Sequence, residues 1–287
     1  MILIDSQQLK RLQEYARAWS VSVAETFETE TSVIAFGVRK DQPVVLKVIK
    51  QTGDEWRAGE FLAAFAENGV ARVYEHVPGA VLVERLRPGN SVAGLALNGR
   101  DEEATDILAA AMQRMSACSS ASQFEFCPTV HDWAKGFERY LKSSDERIPR
   151  RLVLAGQRAY LDLCASQRQP LLLHGDLQHY NVLFDSHRGW LAIDPKGVIG
   201  ELEYEVGAAL RNPYENPELF ISRSTIERRL EQFTNKLNLN YARTLRWAFA
   251  QAVLSAVWLI EDGWGVNETT PAIRLAEVIR SMPDAKQ

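Results

Sequence analysis

Cysteine is scarce in this chain. Cys118, Cys127 and Cys164 are the only three in 287 residues. Odd in number and without metal-ligand spacing, they argue against a disulfide scaffold or a cysteine-built zinc site and point to free thiols in a reducing compartment. Basic residues form no stripe or block, and the net charge is -4, so there is no electrostatic footprint for nucleic acid. Long uncharged apolar runs are missing as well. The longest, "LRWAFAQAVLSAVWLI", is interrupted by Arg246 and Gln251 and is too short and polar to span a bilayer. The opening "MILIDSQQLKRLQEY" has no basic region followed by an apolar stretch, so no secretory leader is expected. Internal repeats and low-complexity segments are absent. A soluble cytoplasmic protein is expected, with neither nucleic acid nor membrane as partner.

The chain is long enough for one large domain or two modest ones with a real core. "VSVAETFE", "SVIAFGVRK" and "PVVLKVIK" are β-branched runs separated by turn-prone pieces and read as strands. "GDEWRAGEFLAAFAENGV" then spaces Trp56, Phe61, Leu62 and Phe65 as a helix does, ending in Asn68-Gly69. Two further strands, "ARVYEHVP" and "AVLVERL", meet at Pro78-Gly79. Beyond "RPGNS" the pattern turns helical, beginning with "DEEATDILAAAMQRMSA", whose acidic first turn suits a helix N-terminus. Further helices are expected near 130–142 and 151–166 and from about 224. The expectation is an α+β chain: a small β-rich lobe over 1–88, a larger mainly helical lobe over 89–287, and a hinge near Glu84 to Pro88.

One stretch breaks the helical pattern. In "LLLHGDLQHYNVLFDSHRGWLAIDPKG" an apolar run stops at His174-Gly175-Asp176, and a second ends at Asp194 with Asn181 between them. Transfer of a phosphoryl group from ATP needs a base or orienter at the attacking hydroxyl and oxygen ligands for magnesium. Asp176 and Asn181 can face one cleft across a short loop, and Asp194 returns there if the strands pair through "DSHRG". That yields one carboxylate for the hydroxyl and an Asn/Asp pair for the metal. The spacing His-x-Asp-x-x-x-x-Asn followed by a later Asp is the kinase catalytic-loop pattern; the bland alternative is a β-hairpin whose polar loop serves turns. Lys47, inside "PVVLKVIK", faces either solvent or a cleft, and periodicity leaves that open. A kinase needs such a cation against the α- and β-phosphates, oriented by a following glutamate. Glu55 is the candidate and Glu60 the second; a first-turn acid serving the helix dipole is the alternative reading of Glu55.

Taken together, "VVLKVIK", "DEWRAGEFLAAF", "VLVERLRPG", "HGDLQHYNVLF" and "WLAIDPKGVIGELEYEVG" resemble the aminoglycoside phosphotransferases, in particular the streptomycin 6-phosphotransferase and hydroxyurea phosphotransferase branch. The likeness runs from about residue 20 to about 265. It implies a two-lobed protein-kinase-like fold and an ATP- and Mg2+-dependent transfer to a small-molecule hydroxyl, with antibiotic resistance as the outcome. Asp176 would be the catalytic base or hydroxyl orienter, Asn181 and Asp194 the magnesium ligands, and Lys47 the phosphate contact. Glu84-Arg85-Leu86 would meet the adenine edge through backbone groups. His174 would brace the catalytic loop, and His179 would face solvent. The first two strands lack the glycine-rich loop of protein kinases; the resemblance implies a shorter loop offering Thr31 or Ser32, flanked by Glu28 and Glu30. Asp194-Pro195-Lys196 stands where protein kinases have Asp-Phe-Gly, and the proline suggests a fixed segment.

A cationic acceptor would need carboxylates in the helical lobe. Glu201, Glu203, Glu261 and Asp262, with Trp264 beside them, are the candidates, and each has a plain structural reading as a solvated or anchoring residue. Two other functions compete: a kinase for another hydroxylated metabolite, and a catalytically silent nucleotide binder. Lys47, Asp176, Asn181 and Asp194, all present, speak against the second. A protein kinase fits poorly because no Ala-Pro-Glu-like motif occurs.

Overall fold

A computed structural model describes residues 6–117 and 127–282. Cys118 and both chain ends lie outside them. The chain opens with helix α1 (Ser6–Ala18), to which sequence patterning gave no element, followed by strands β1 (Ser22–Glu28), β2 (Ser32–Arg39) and β3 (Gln42–Ile49). Helix α2 (Ala58–Ala64) and strands β4 (Val73–Val77) and β5 (Ala80–Glu84) complete this part. The five strands form one antiparallel sheet in the order β1-β2-β3-β5-β4. Period-2 alternation sends Val44, Leu46 and Val48 of β3 under α1, where they pack with Leu12, Ala16, Val33, Ala35 and Leu82. Burying Leu12 alone stabilises that docking by about 1.5–3 kcal/mol. Val45 and Lys47 take the opposite face, which lines a cleft.

The helix expected from Gly53 begins only at Ala58. The preceding turn is held by a β-hairpin instead: Gly79 donates its N–H to the Trp56 carbonyl at 2.7 Å. The Trp56 ring lies so close to Gly79, which sits at φ +85°, that a Cβ there would be 2.5 Å from it. Arg11 of α1 lies over the same ring. Glu55, one residue earlier, is thereby fixed by tertiary contacts and not by a helical turn.

The second part begins with β6 (Pro88–Ser91), α3 (Ala93–Leu97), α4 (Asp101–Ser116), α5 (Val130–Trp133), α6 (Lys135–Lys142) and α7 (Arg150–Ala165). Strands β7 (Leu171–Leu173), β8 (Val182–Asp185), β9 (Gly189–Ala192) and β10 (Val198–Gly200) follow. Helices α8 (Leu202–Leu210), α9 (Pro217–Phe220), α10 (Arg223–Leu237), α11 (Tyr241–Glu261) and α12 (Pro271–Arg280) close the described chain. β6-β8-β9 and β10-β7 form two small sheets. A large core includes edge-to-face contacts of Tyr160 with Phe137, Tyr204 and Trp247. Among the described residues no helix is long and apolar enough to cross a membrane.

Backbone and apolar contacts both tie the parts together. Ala71 and Gly69 exchange backbone hydrogen bonds with Ala192 at 2.9 and 2.8 Å. Phe61 of α2 rests on Gly197, where a Cβ would lie 2.3 Å from the ring. The segment from Asp194 to Gly197 is thus clasped by the small lobe.

Candidate active site

β7 delivers the stretch His174-Gly175-Asp176. The His174 imidazole is fully buried. The Asp176 N–H points at its Nδ1 at 3.3 Å, so Nε2 carries the proton and donates to the Ile193 carbonyl at 2.8 Å. Burial lowers its pKa, which keeps the ring neutral. Its carbonyl accepts from Lys196 and Gly197 at 2.9 and 3.0 Å. One residue therefore joins the backbone of Asp176 to the segment carrying Asp194. Glu205, from α8, braces the same loop by accepting from the N–H groups of Gly175 (3.1 Å) and Leu177 (3.3 Å). Burial raises its pKa to about 7 against those donors, with the Asp176 charge adding to the rise.

Asn181 donates Nδ2 to the Asp176 carbonyl at 2.9 Å, leaving its Oδ1 as an oxygen donor. Its own carbonyl accepts from Ile193 at 2.9 Å, which sets it beside the residue preceding Asp194. One carboxylate and one amide oxygen match what Mg2+ asks of a protein when phosphates and water fill the remaining positions. Among the described residues no cluster of three or more His, Cys, Asp or Glu could hold a metal by itself.

Lys47 lies buried between two acids, 2.8 Å from Glu55 and 3.0 Å from Asp194. Burial opposes its charge, but the two carboxylates outweigh that and raise its pKa. Glu60, the second candidate, pairs with Arg57 instead. Below the sheet a cavity of about 420 Å³ runs from Lys47 and Asp194 to the segment between the lobes. Phe27 and Phe36, absent from the sequence reading, form its roof with ring centroids 5.1 Å apart, and Arg85 lies over Phe36. Their signal was the alternation of β1 and β2, which sets apolar residues on the face opposite α1. At the hinge, Glu84 spends its N–H on Arg72 at 2.9 Å and its carboxylate on Arg188 and the Arg72 N–H. Leu86 lines the cavity, and its N–H meets no acceptor among the described residues.

Other expected residues divide. Thr31 sits against Glu55, its hydroxyl 3.2 Å from a carboxylate oxygen. Ser32 is a correction: it is buried and its hydroxyl contacts that of Thr29 at 2.8 Å, so it turns into the loop. Glu28 pairs with Lys50 at 2.7 Å, away from Lys47. Asp262 and Trp264 share a cavity of about 680 Å³ with Glu30, Asp54, Glu55 and Lys196. Burial, with Asp54, Glu261 and Glu30 adding to it against Lys196, raises the Asp262 pKa. Glu261 lines that cavity but is held bidentate by Arg139 at 2.7 and 2.8 Å.

Glu201 and Glu203 are corrected outright. They line a different cavity, of about 840 Å³, that shares no lining residue with either of the others. Glu201 is buried against Arg243 at 2.5 Å and the Trp247 indole, because α8 starts right after it and turns it toward α7 and α11. His179 is also corrected: it is buried, its ring nitrogens have no partner among the described residues, and burial, then Arg229, pushes its pKa down to about 3. Cys127 and Cys164 are free thiols, pushed up to about 12 by burial.

The sequence profile described as aminoglycoside/hydroxyurea antibiotic resistance kinase matches residues 17–263. A streptomycin 3''-kinase of Klebsiella pneumoniae is 34% identical over 242 residues, covering 83% of this chain and 88% of that one. A hydroxyurea phosphotransferase of Kitasatospora aureofaciens is 29% identical over 266 residues, covering 88% and 73%. Among solved structures, the choline kinase LicA from Streptococcus pneumoniae superposes with a TM-score of 0.68 at 11% identity, covering 96% of this chain and 98% of that one. A thermostable mutant of the aminoglycoside phosphotransferase APH(4)-Ia, with ADP and hygromycin B, gives 0.64 at 16%, covering 95% and 98%. At such identities the likeness establishes the kinase-like fold.

Proposed function

The chain belongs to the aminoglycoside/hydroxyurea antibiotic resistance kinases, enzymes that phosphorylate a hydroxyl acceptor, and from that premise we propose that it moves the γ-phosphoryl group of ATP, with Mg2+, onto a streptomycin-like aminoglycoside. The observation that carries this reading is Lys47 buried between Glu55 and Asp194 at 2.8 and 3.0 Å, at the mouth of an apolar cavity sized for a nucleobase.

In this reading the base enters the apolar cavity lined by Phe36 and Leu183, and the free Leu86 N–H donates to its edge. Lys47 meets the α- and β-phosphates, with Glu55 holding its ammonium in place. Asn181 and Asp194 would hold magnesium, which neutralises charge on the phosphates when bound. Asp176 accepts the proton of the acceptor hydroxyl as its oxygen bonds to the γ-phosphorus; the bond from that phosphorus to the bridging oxygen breaks and ADP leaves. The lobe 1–88 supplies most of the nucleotide cavity, and the lobe 89–287 supplies the catalytic residues and part of the acceptor cavity. Asp262, Trp264 and Asp54 offer a cationic acceptor charge and an aromatic face, whereas Glu261 is already neutralised by Arg139. Cytoplasm, with ATP and reduced thiols, is the compartment this reading implies. The test is Mg2+-dependent ADP release from ATP over a panel of streptomycin, other aminoglycosides, hydroxyurea and simple alcohols. Streptomycin-dependent release that Asp176→Asn lowers by about 10³-fold is expected; release unchanged in that variant would remove Asp176 from its role.

A further inference from the structure

The Asp176 carboxylate is flanked at both oxygens. Asn181 Nδ2 stands 3.5 Å from Oδ2, and on the other side the Arg211 guanidinium stands 3.5 Å from Oδ1. Arg211 is the residue that ends α8, far from the catalytic loop in sequence and outside the patterns read from it. Its direction is built in. Nη1 donates at 2.8 Å to Oε1 of Gln251, a buried side chain of α11. Gly207 makes room for that amide: a Cβ there would lie 2.1 Å from the same Gln251 oxygen. The backbone around Arg211 is tied as well, because the buried Arg229 donates to the Ala209 and Asn212 carbonyls at 3.2 and 2.7 Å and is itself anchored on Asp101.

We infer that Arg211 is a positioning residue that orients the Asp176 carboxylate toward the acceptor hydroxyl. The inference rests on the phosphotransfer reading above. A planar guanidinium with one nitrogen spent on Gln251 has a fixed second edge, so it restricts the carboxylate's rotation about its terminal bond, as Asn181 does from the other oxygen. Such preorganisation acts on the chemical step, where misplacement by about 1 Å costs about 10²-fold. A 3.5 Å contact is long for a hydrogen bond, and catalytic contacts of this kind tighten when substrate is bound. α8 thus braces the loop twice, with Glu205 on its backbone and Arg211 on its carboxylate.

The test is steady-state kinetics of the full chain with ATP, Mg2+ and whichever acceptor of the panel is phosphorylated, for wild type, Arg211→Ala, Arg211→Lys and Gln251→Leu. Arg211→Ala is expected to lose about 10- to 100-fold in kcat with the KM for ATP within about 2-fold, and guanidinium chloride at millimolar concentration is expected to restore part of it. Arg211→Lys, which keeps the charge without the fork, should fall between, and Gln251→Leu, which frees Arg211 without removing it, should lose less than Arg211→Ala. Unchanged kcat in both Arg211 variants would overturn the inference. So would a loss of kcat that guanidinium does not relieve and that comes with a lower melting temperature and a raised KM for ATP, since that is the signature of a structural role; if Arg211→Ala does not fold, Arg211→Lys and Gln251→Leu decide by the same criteria. A wild-type protein that transfers phosphate to no acceptor fails differently: it removes the phosphotransfer reading, and this inference with it.

Discussion

The two ends of the cleft are built in opposite ways. At the Lys47 end the charges are already paired: the ammonium is buried between two carboxylates, and an apolar cavity of about 420 Å³ adjoins it. At the Asp262 end a cavity of about 680 Å³ is lined by Glu30, Asp54 and Asp262 against Lys196, with Glu55, Glu261 and Lys50 of the same lining spent on Lys47, Arg139 and Glu28, and Trp264 is 52% exposed there. The first is preorganised for one ligand. The second offers surplus negative charge in water, where it can suit cations of several shapes at small cost per contact. If, as proposed, the first takes the nucleotide and the second the acceptor, a kinase built this way can change acceptor without rebuilding its chemistry.

The largest effect expected from this contrast is at Lys47. Replacing it, as Lys47→Met, should lower kcat/KM for ATP by about 10²- to 10³-fold, since in the proposed function it removes the buried cation that meets the phosphates. The acceptor KM should move little. Initial rates at varied ATP and varied acceptor separate the two, and equal changes in both would erase the distinction between the ends.

An intermediate effect is expected in the brace. Glu205 in the folded chain has its pKa at about 7, above the ordinary 4.5. The unfolded chain therefore gives up this proton first as pH rises, so the contribution of Glu205 to stability falls between pH 4.5 and 7 and its full cost is present above 7. The stability of wild type relative to Glu205→Gln should drop by about 3 kcal/mol across that window. Urea unfolding of both proteins at pH 4.5 and pH 8 measures it; a difference independent of pH would mean that the N–H groups of Gly175 and Leu177 fully offset burial.

The smallest effect belongs to the acceptor end. Asp262→Asn should raise the KM for a cationic acceptor by about 3- to 10-fold, about 1 kcal/mol, and leave kcat and the KM for ATP unchanged. Raising the salt concentration should shrink the gap between variant and wild type. A neutral acceptor should show none of it.

The succession of elements at the Lys47 end was legible before the structure. Three strands, a helix and two more strands follow from short windows of sequence because strand periodicity is local, whereas which face Lys47 takes was left open by that periodicity and was decided by the structure. Local signals failed where a contact from elsewhere overrides them. The helix expected from Gly53 yields to the Trp56–Gly79 contact. Glu201 looks like a free acid in "GELEYEVG" and is consumed by Arg243, 42 positions later. His179 reads as a loop residue and lies under α3, its carbonyl accepting from Ala93 at 3.0 Å.

By itself the sequence determined which chemistry is available: an Asp, an Asn and a second Asp at kinase spacing, with one lysine in an apolar strand upstream. Those are properties of residue type and near-neighbour spacing, which the backbone's two periodicities convert directly into faces. Only the tertiary structure decided which acids stay free, which are spent on arginines, and which cation stands beside Asp176. Arg211 comes within reach because α8 ends there and Gln251, 40 positions on, holds it. Charge pairing depends on distance in space, and no short window of sequence contains both partners of Glu201–Arg243 or Asp176–Arg211.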